Sequence, residues 1–274
     1  MRATTTRIFV STALACSVFC GFAEEAQPAE LEKTESDGFS VEVSLDVLSD
    51  YVWRGTICNG NPVWQPSVTF GYDFGEFGNV GLNLWQSYDL THKRGTATNS
   101  RRACGHQETD YTLTYGKSFG DVDFELGHIF YTFPNNNGTC DQDVYASVAY
   151  NNDYVTPSAA VYWNYGDGHD SDPSGVYFSF GLSHEFAFGE KFTLTPSASL
   201  GFGDHVAAGD TSGGAELTDQ TIGLAAGYAI TKNVSVGAQI NYTWIPSHTL
   251  RHNDYMGCNK DQLVWGGVNV TLSF

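Results

Sequence analysis

From Phe39 onward the chain alternates apolar and polar residues with a period of two. Phe39, Val41, Val43, Leu45 and Val47 fall on one side, and Ser40, Glu42, Ser44 and Asp46 on the other. Successive side chains of an extended strand point to opposite faces, so this segment reads as a strand with one apolar face and one wet face. The same pattern recurs along the chain and predicts twelve strands in all. Apolar sides include Val68, Phe70 and Tyr72; Tyr111, Leu113 and Tyr115; Val176, Phe178, Phe180 and Leu182; and Val264, Val268, Val270, Leu272 and Phe274.

The polar sides are dominated by Ser, Thr, Gly and Asn rather than by the Lys and Glu of a sandwich strand facing water. The connections alternate as well. Short ones are expected around Gly75, Ser118–Asp121, Asn151–Val155, Gly189 and Glu190, and Thr231–Asn233, and longer ones at about 89–107, 134–142, 166–174, 203–216 and 246–261. An intermediate one is expected at about 55–62. Short turns at one end and long loops at the other mark a membrane barrel. The predicted fold is all-β: a closed antiparallel up-and-down transmembrane β-barrel over 39–274. An even strand count puts both termini on the short-turn, periplasmic side.

The first residues add an export signal. Arg2 and Arg7 precede a mostly apolar run from Ile8 to Phe22, and Gly21 and Ala23 supply small residues for cleavage, so 1–23 is expected to be a signal peptide. A lipoprotein signal with Cys16 after Ala13, Leu14 and Ala15 is the alternative. Residues 24–38 are acidic, contain Pro28, and read as a flexible periplasmic lead-in, with a short helix or lumen plug as the other reading. No other stretch reaches the roughly 18 apolar residues of a membrane helix. Loss of the leader, with its two arginines and no acid, takes the net charge from −18 to −20. That balance disfavours nucleic acid as a partner.

Two resemblances sharpen this. Val264–Phe274, with Phe274, Leu272 and Val270 at alternate positions, resembles the C-terminal signal by which bacterial outer-membrane barrels are recognised. It implies the barrel-assembly machinery as a partner, and outer-membrane lipid and lipopolysaccharide as surroundings. Ser49-Asp50-Tyr51-Val52-Trp53-Arg54-Gly55, followed by Val63–Tyr72, is similar to the opening of the TorF-like porin family. That likeness implies an outer-membrane barrel passing small solutes.

Candidate chemistry lies in the lumen and the loops. Strand parity turns Glu42, Asp46, Asp50, Glu108, Asp110, Asp123, Glu125, Asp143 and Glu185 inward, with Arg54 the basic exception and Trp85, Tyr131, Tyr145, Tyr162 and Tyr177 narrowing the pore. Rings of carboxylates favour cations. Four cysteines remain after the leader, and all fall in expected long-side connections: Cys58, Cys104, Cys140 and Cys258. An exported chain forms disulfides. Barrel closure makes the first and last loops neighbours, which favours Cys58–Cys258 with Cys104–Cys140; Cys58–Cys104 with Cys140–Cys258 needs a bridge across the mouth. No C-x-x-C pair is present and no metal or cofactor is expected, although His169 with Asp167, Asp170 and Asp172 could gather a divalent ion at the mouth.

His128 and His184 fall on the lipid-facing parity, where a membrane hydrolase would place its base. Ser183 beside His184 faces the opposite way, and no G-x-S-x-G elbow is present. Tyr51, Trp53, Tyr88, Trp163, Tyr242 and Trp244 sit near loop-side strand ends, as an interfacial aromatic girdle would. The expected function is passive, cation-leaning diffusion of small solutes through a non-enzymatic porin-like channel. The alternatives are a structural or adhesive barrel displaying disulfide-tied loops, and an outer-membrane lipid hydrolase.

Overall fold

The structure is a computed structural model that describes residues 38–91, 105–134, 139–166, 174–204, 214–247 and 260–274. The leader, the acidic lead-in, Cys104, Cys258 and the acids around His169 lie outside these residues.

The strands are β1 (Phe39–Leu48), β2 (Tyr51–Trp53), β3 (Thr56–Asn59), β4 (Val63–Asp73), β5 (Asn79–Asp89), β6 (Gly105–Phe119), β7 (Val122–Phe133) and β8 (Thr139–Tyr150). They continue as β9 (Thr156–Asn164), β10 (Gly175–Ser183), β11 (Phe186–Phe188), β12 (Phe192–Asp204), β13 (Ala215–Thr231), β14 (Val234–Trp244) and β15 (Gln262–Ser273). β2 and β3 form a separate hairpin, and β11 is a short spur on β12. The other twelve strands pair with their neighbours, all antiparallel, in one closed barrel. β1 closes on β15 in the register Val43↔Leu272, Leu45↔Val270 and Val47↔Val268.

The alternation carries through as two faces. Outward residues such as Leu45, Phe70, Leu113, Leu126, Phe180, Ile222 and Val264 form an exposed apolar surface, and inward Ser, Thr and Asn are buried. This is the inverse of a water-soluble core, because the outer face is built for hydrocarbon and the polar groups turn inside. The first and last barrel strands meet at the short-turn rim, where Val41 N–H donates to the Phe274 carbonyl at 2.9 Å.

Two connections differ from the expectation. The third long-side connection is only 134–138, because β8 starts at Thr139 and takes in Cys140, whose register partner is Thr132 on β7. Cys140 is therefore on a strand end rather than in a loop. The first connection is not an open loop at all. Its residues pair as β2 and β3 and turn into the barrel.

Candidate functional site

The β2–β3 hairpin determines the shape of the lumen. Trp53 pairs with Thr56, leaving Arg54 and Gly55 as a two-residue turn with φ of 46° and 78°. Positive φ at both central positions is what a type I′ hairpin turn requires. Gly55 accepts this freely. Its Cα also lies against β13, so close that a Cβ would sit 2.8 Å from the Thr218 carbonyl oxygen.

The hairpin leaves the wall between β1 and β4 and reaches the far side of the barrel. Arg54 is 1% exposed, and its Nη2 donates to Asp143 Oδ2 on β8 at 2.5 Å. Its guanidinium carbon lies 4.3 Å from the ring centre of Tyr162 on β9, 5.0 Å from that of Tyr177 on β10 and 4.4 Å from that of Trp53. Burial, the largest single influence, opposes the charge of this guanidinium, but Asp143, Tyr131 and Tyr162 together outweigh it and the pKa is raised, so Arg54 is a permanent cation. Asp143 also accepts from Tyr131 Oη at 3.2 Å and from Asn164 Nδ2 at 2.8 Å.

Around this latch the interior is packed. Tyr51, Val52 and Ile57 join Leu48, Val63, Ile245, Leu263 and Trp265 in one apolar cluster. Ile129, Tyr131, Tyr145, Ala160, Tyr162 and Tyr177 form a second, and Trp53 touches both. At the base of the hairpin, Asn59 Nδ2 donates to Asp89 Oδ2 at 3.0 Å and to Gln107 Oε1 at 3.1 Å.

The residues expected to face the lumen divide into groups. Arg54, Asp143 and Tyr177 come together at the latch. Glu108 and Asp110 lie buried on one face of β6, with Trp85 the register partner of Asp110 on β5. Tyr145 donates to Glu125 Oε1 at 2.5 Å, and its ring lies over Gly127, which has no side chain to obstruct it. Asp46 accepts from Ser44 Oγ at 2.6 Å, and Glu42 from Ser273 Oγ at 3.4 Å. Asp123 sits at the short-turn rim, accepting from Asn151 Nδ2 at 2.6 Å. Asp50 is buried where the chain leaves β1 for the hairpin. Glu185 lies beyond the end of β10, exposed in the turn before β11, so it is not on a lumen-facing strand position.

Strand parity misplaces Tyr51 and Trp53. They are inside the lumen rather than in a girdle, because the chain turns inward after Leu48 and no longer follows the wall. Trp163, Tyr242 and Trp244 are exposed on the outer face, as expected for that girdle.

Parity also misses Gln107 and Asp219. Both stand at bulges. Ser87↔Glu108 is followed by Tyr88↔His106, so Gln107 is the extra residue on β6. Gly201↔Asp219 is followed by Phe202↔Leu217, so Thr218 is the extra residue on β13. A bulge breaks the period of two. Asp219 accepts from Tyr177 Oη at 3.0 Å and from Thr218 Oγ1 at 2.8 Å.

Outside the lumen, His128 Nε2 and Tyr165 Oη are 2.7 Å apart, and that hydroxyl donates to Gln142 Oε1 at 2.9 Å. The histidine therefore meets a neutral chain of groups rather than a serine and a carboxylate. His184 stacks edge-on against Phe186. Among the described residues no group of three or more His, Cys, Asp or Glu side chains is placed to hold a metal ion.

No protein-family model matches the chain, and no curated protein does. Solved structures do share its architecture. One is a KdgM porin in complex with disordered oligogalacturonate, at 12% identity and a TM-score of 0.50, over 86% of this chain and 99% of that one. Another is a NanC porin, at 8% identity and a TM-score of 0.50, over 85% of this chain and 98% of that one. At such identities the likeness is one of fold.

Proposed function

We propose that this chain is an outer-membrane channel of the porin kind, with both termini in the periplasm, that passes small cations past an inward hairpin. The observation that carries the reading is the Arg54–Asp143 latch. Arg54 is the only basic residue buried among the described residues, and its charge is already matched by Asp143. Other acids along the lumen, among them Glu108, Asp110 and Glu125, meet tyrosines or other acids rather than a cation. A lining of this sign draws cations and repels anions. That separates this lumen from one suited to an acidic sugar chain such as the oligogalacturonate of the KdgM complex.

The two barrels of like fold are porins, which supports a channel. The cysteine pairing Cys58–Cys258 with Cys104–Cys140 belongs to the same proposal. The β1–β15 seam supports its first bridge, because it sets the 49–62 connection beside the 245–261 connection.

A second reading, a barrel that displays its loops without conducting, draws on the packing at the latch. Planar-bilayer recording separates the two. The folded chain should give discrete steps with a reversal potential displaced toward that of the cation in a salt gradient. Replacing 50–60 with a short Gly-Ser turn should enlarge the steps. Silence from both proteins would refute the channel; an anion-shifted reversal potential would refute the selectivity.

A further inference from the structure

The β5–β6 wall of the lumen carries buried oxygen atoms that accept no hydrogen bond from an N–H or hydroxyl donor. They are both carboxylate oxygens of Asp110, Thr112 Oγ1 and Asn83 Oδ1. Asp110 and Thr112 are alternate residues of β6 and so share its inner face, about 6.6 Å apart along the strand. Asn83, on β5, is the direct register partner of Thr112. The Asn83 amide is oriented by its other end, since Nδ2 donates to Thr69 Oγ1 on β4 at 2.8 Å. Its carbonyl oxygen, at the other end of the amide, is buried without a donor.

The charge around this patch is unbalanced. Asp110 feels Glu108 and Asp143, both acids. The Arg54 guanidinium is spent on Asp143. Among the described residues, the one group in hydrogen-bonding reach of the Asp110 carboxyl is that of Glu108, itself an acid. A buried carboxylate paired with another acid and with no cation is strongly unfavourable. The atoms on offer are a carboxylate, a hydroxyl and an amide carbonyl, with no nitrogen or sulfur ligand among them. That is the donor set of a hard cation rather than of zinc or copper. It combines carboxylate oxygens with the neutral oxygens of Thr112 and Asn83.

We propose that Asp110, Thr112 and Asn83, with Glu108 adding a second negative charge, hold a calcium ion on the lumen wall. The site is a property of the barrel and does not depend on whether the barrel conducts.

The probe is terbium, a calcium substitute whose emission is sensitised by nearby indole and phenol rings. Trp85 and Tyr131 are the two cross-strand partners of Asp110, so a lanthanide bound there has a sensitiser on either side. Calcium-depleted, folded protein in detergent micelles is titrated with terbium and then with calcium. Saturable one-to-one emission is expected, displaced by calcium. Asp110→Asn should weaken it by at least about tenfold. Thr112→Val, which removes one oxygen at nearly constant shape, should weaken it several-fold. Glu125→Gln, at a lumen acid bonded to Tyr145, should leave it unchanged. If Asp110→Asn does not fold, Thr112→Val decides. Absence of sensitised emission from the folded wild type, emission that calcium does not displace, or equal emission from the site variants would overturn the proposal. In that case water or a proton shared with Glu108 satisfies these oxygens. No transport is measured, so failure here is distinct from failure of the channel reading.

Discussion

Arg54 sits at a position that disfavours it twice. Its backbone is left-handed, with φ of 46°, which costs a non-glycine residue about 1–3 kcal/mol. Its guanidinium is also out of water, at an effective cost of several kcal/mol per ion. The ion pair with Asp143 and three aromatic faces offset both, a desolvated cation–π contact contributing about 2 kcal/mol. Breaking such a pair from one side is worse than removing it whole. Arg54→Ala should therefore destabilise the barrel by about 3–5 kcal/mol, because Asp143 stays buried with only Tyr131 and Asn164 to donate to it. Arg54→Ala combined with Asp143→Asn should recover part of that loss. Reversible urea unfolding in micelles measures both, and a double variant no more stable than Arg54→Ala would show that the charge of Asp143 is not what matters. The sequence marks Arg54 as the odd cation among acids. It does not mark Asp143 as its partner, because 89 residues separate them and only the curvature of the barrel brings them together.

The elements were legible wherever a strand stays in the wall. Parity from Ser44 to Val47, or from Thr221 to Gly227, places every residue on the face that the structure shows. Parity fails where the backbone gains a residue, at Gln107 and Thr218, and where the chain leaves the wall, after Leu48. Arg54-Gly55 stands out in the sequence only as part of a family-like run, not as a hairpin turn, and the inward direction of the hairpin depends on the apolar pocket of Ile245, Leu263 and Trp265 from the C-terminal strands. The hairpin is held at its tip by close approach. Gly55→Ala adds a methyl group 2.8 Å from the Thr218 carbonyl oxygen and forces an alanine to φ of 78°, so the tip should detach. Trypsin reports this directly, since the bond after Arg54 is buried in the wild type. Folded Gly55→Ala should yield a new N-terminus at position 55, and the wild type should not. Equal resistance in the two proteins would mean that the contact with β13 does not hold the hairpin in place.

At the scale of the whole molecule, one pattern faces two environments. Leu113, at the middle of the long strand β6, is 59% exposed and looks outward, while Asp110, Thr112 and Thr114 on the same strand are buried inside. Exposure alone does not distinguish hydrocarbon from water; the sign and depth dependence of a mutational cost do. In a bilayer, an arginine on the lipid face costs about 2–4 kcal/mol at the midplane and falls to about 0–1 kcal/mol near the interfaces. Leu113→Arg should therefore destabilise the folded barrel by about 2–4 kcal/mol in lipid vesicles. Val264→Arg, near the loop-side end of β15 and similarly exposed, should cost about 0–1 kcal/mol. Denaturant titration of both variants folded into vesicles of one lipid gives the comparison. A surface facing water would tolerate both substitutions alike. A large cost at Leu113 with little at Val264 follows only if the apolar belt, and with it the seam of β1 on β15, encircles the chain at the level of the hydrocarbon.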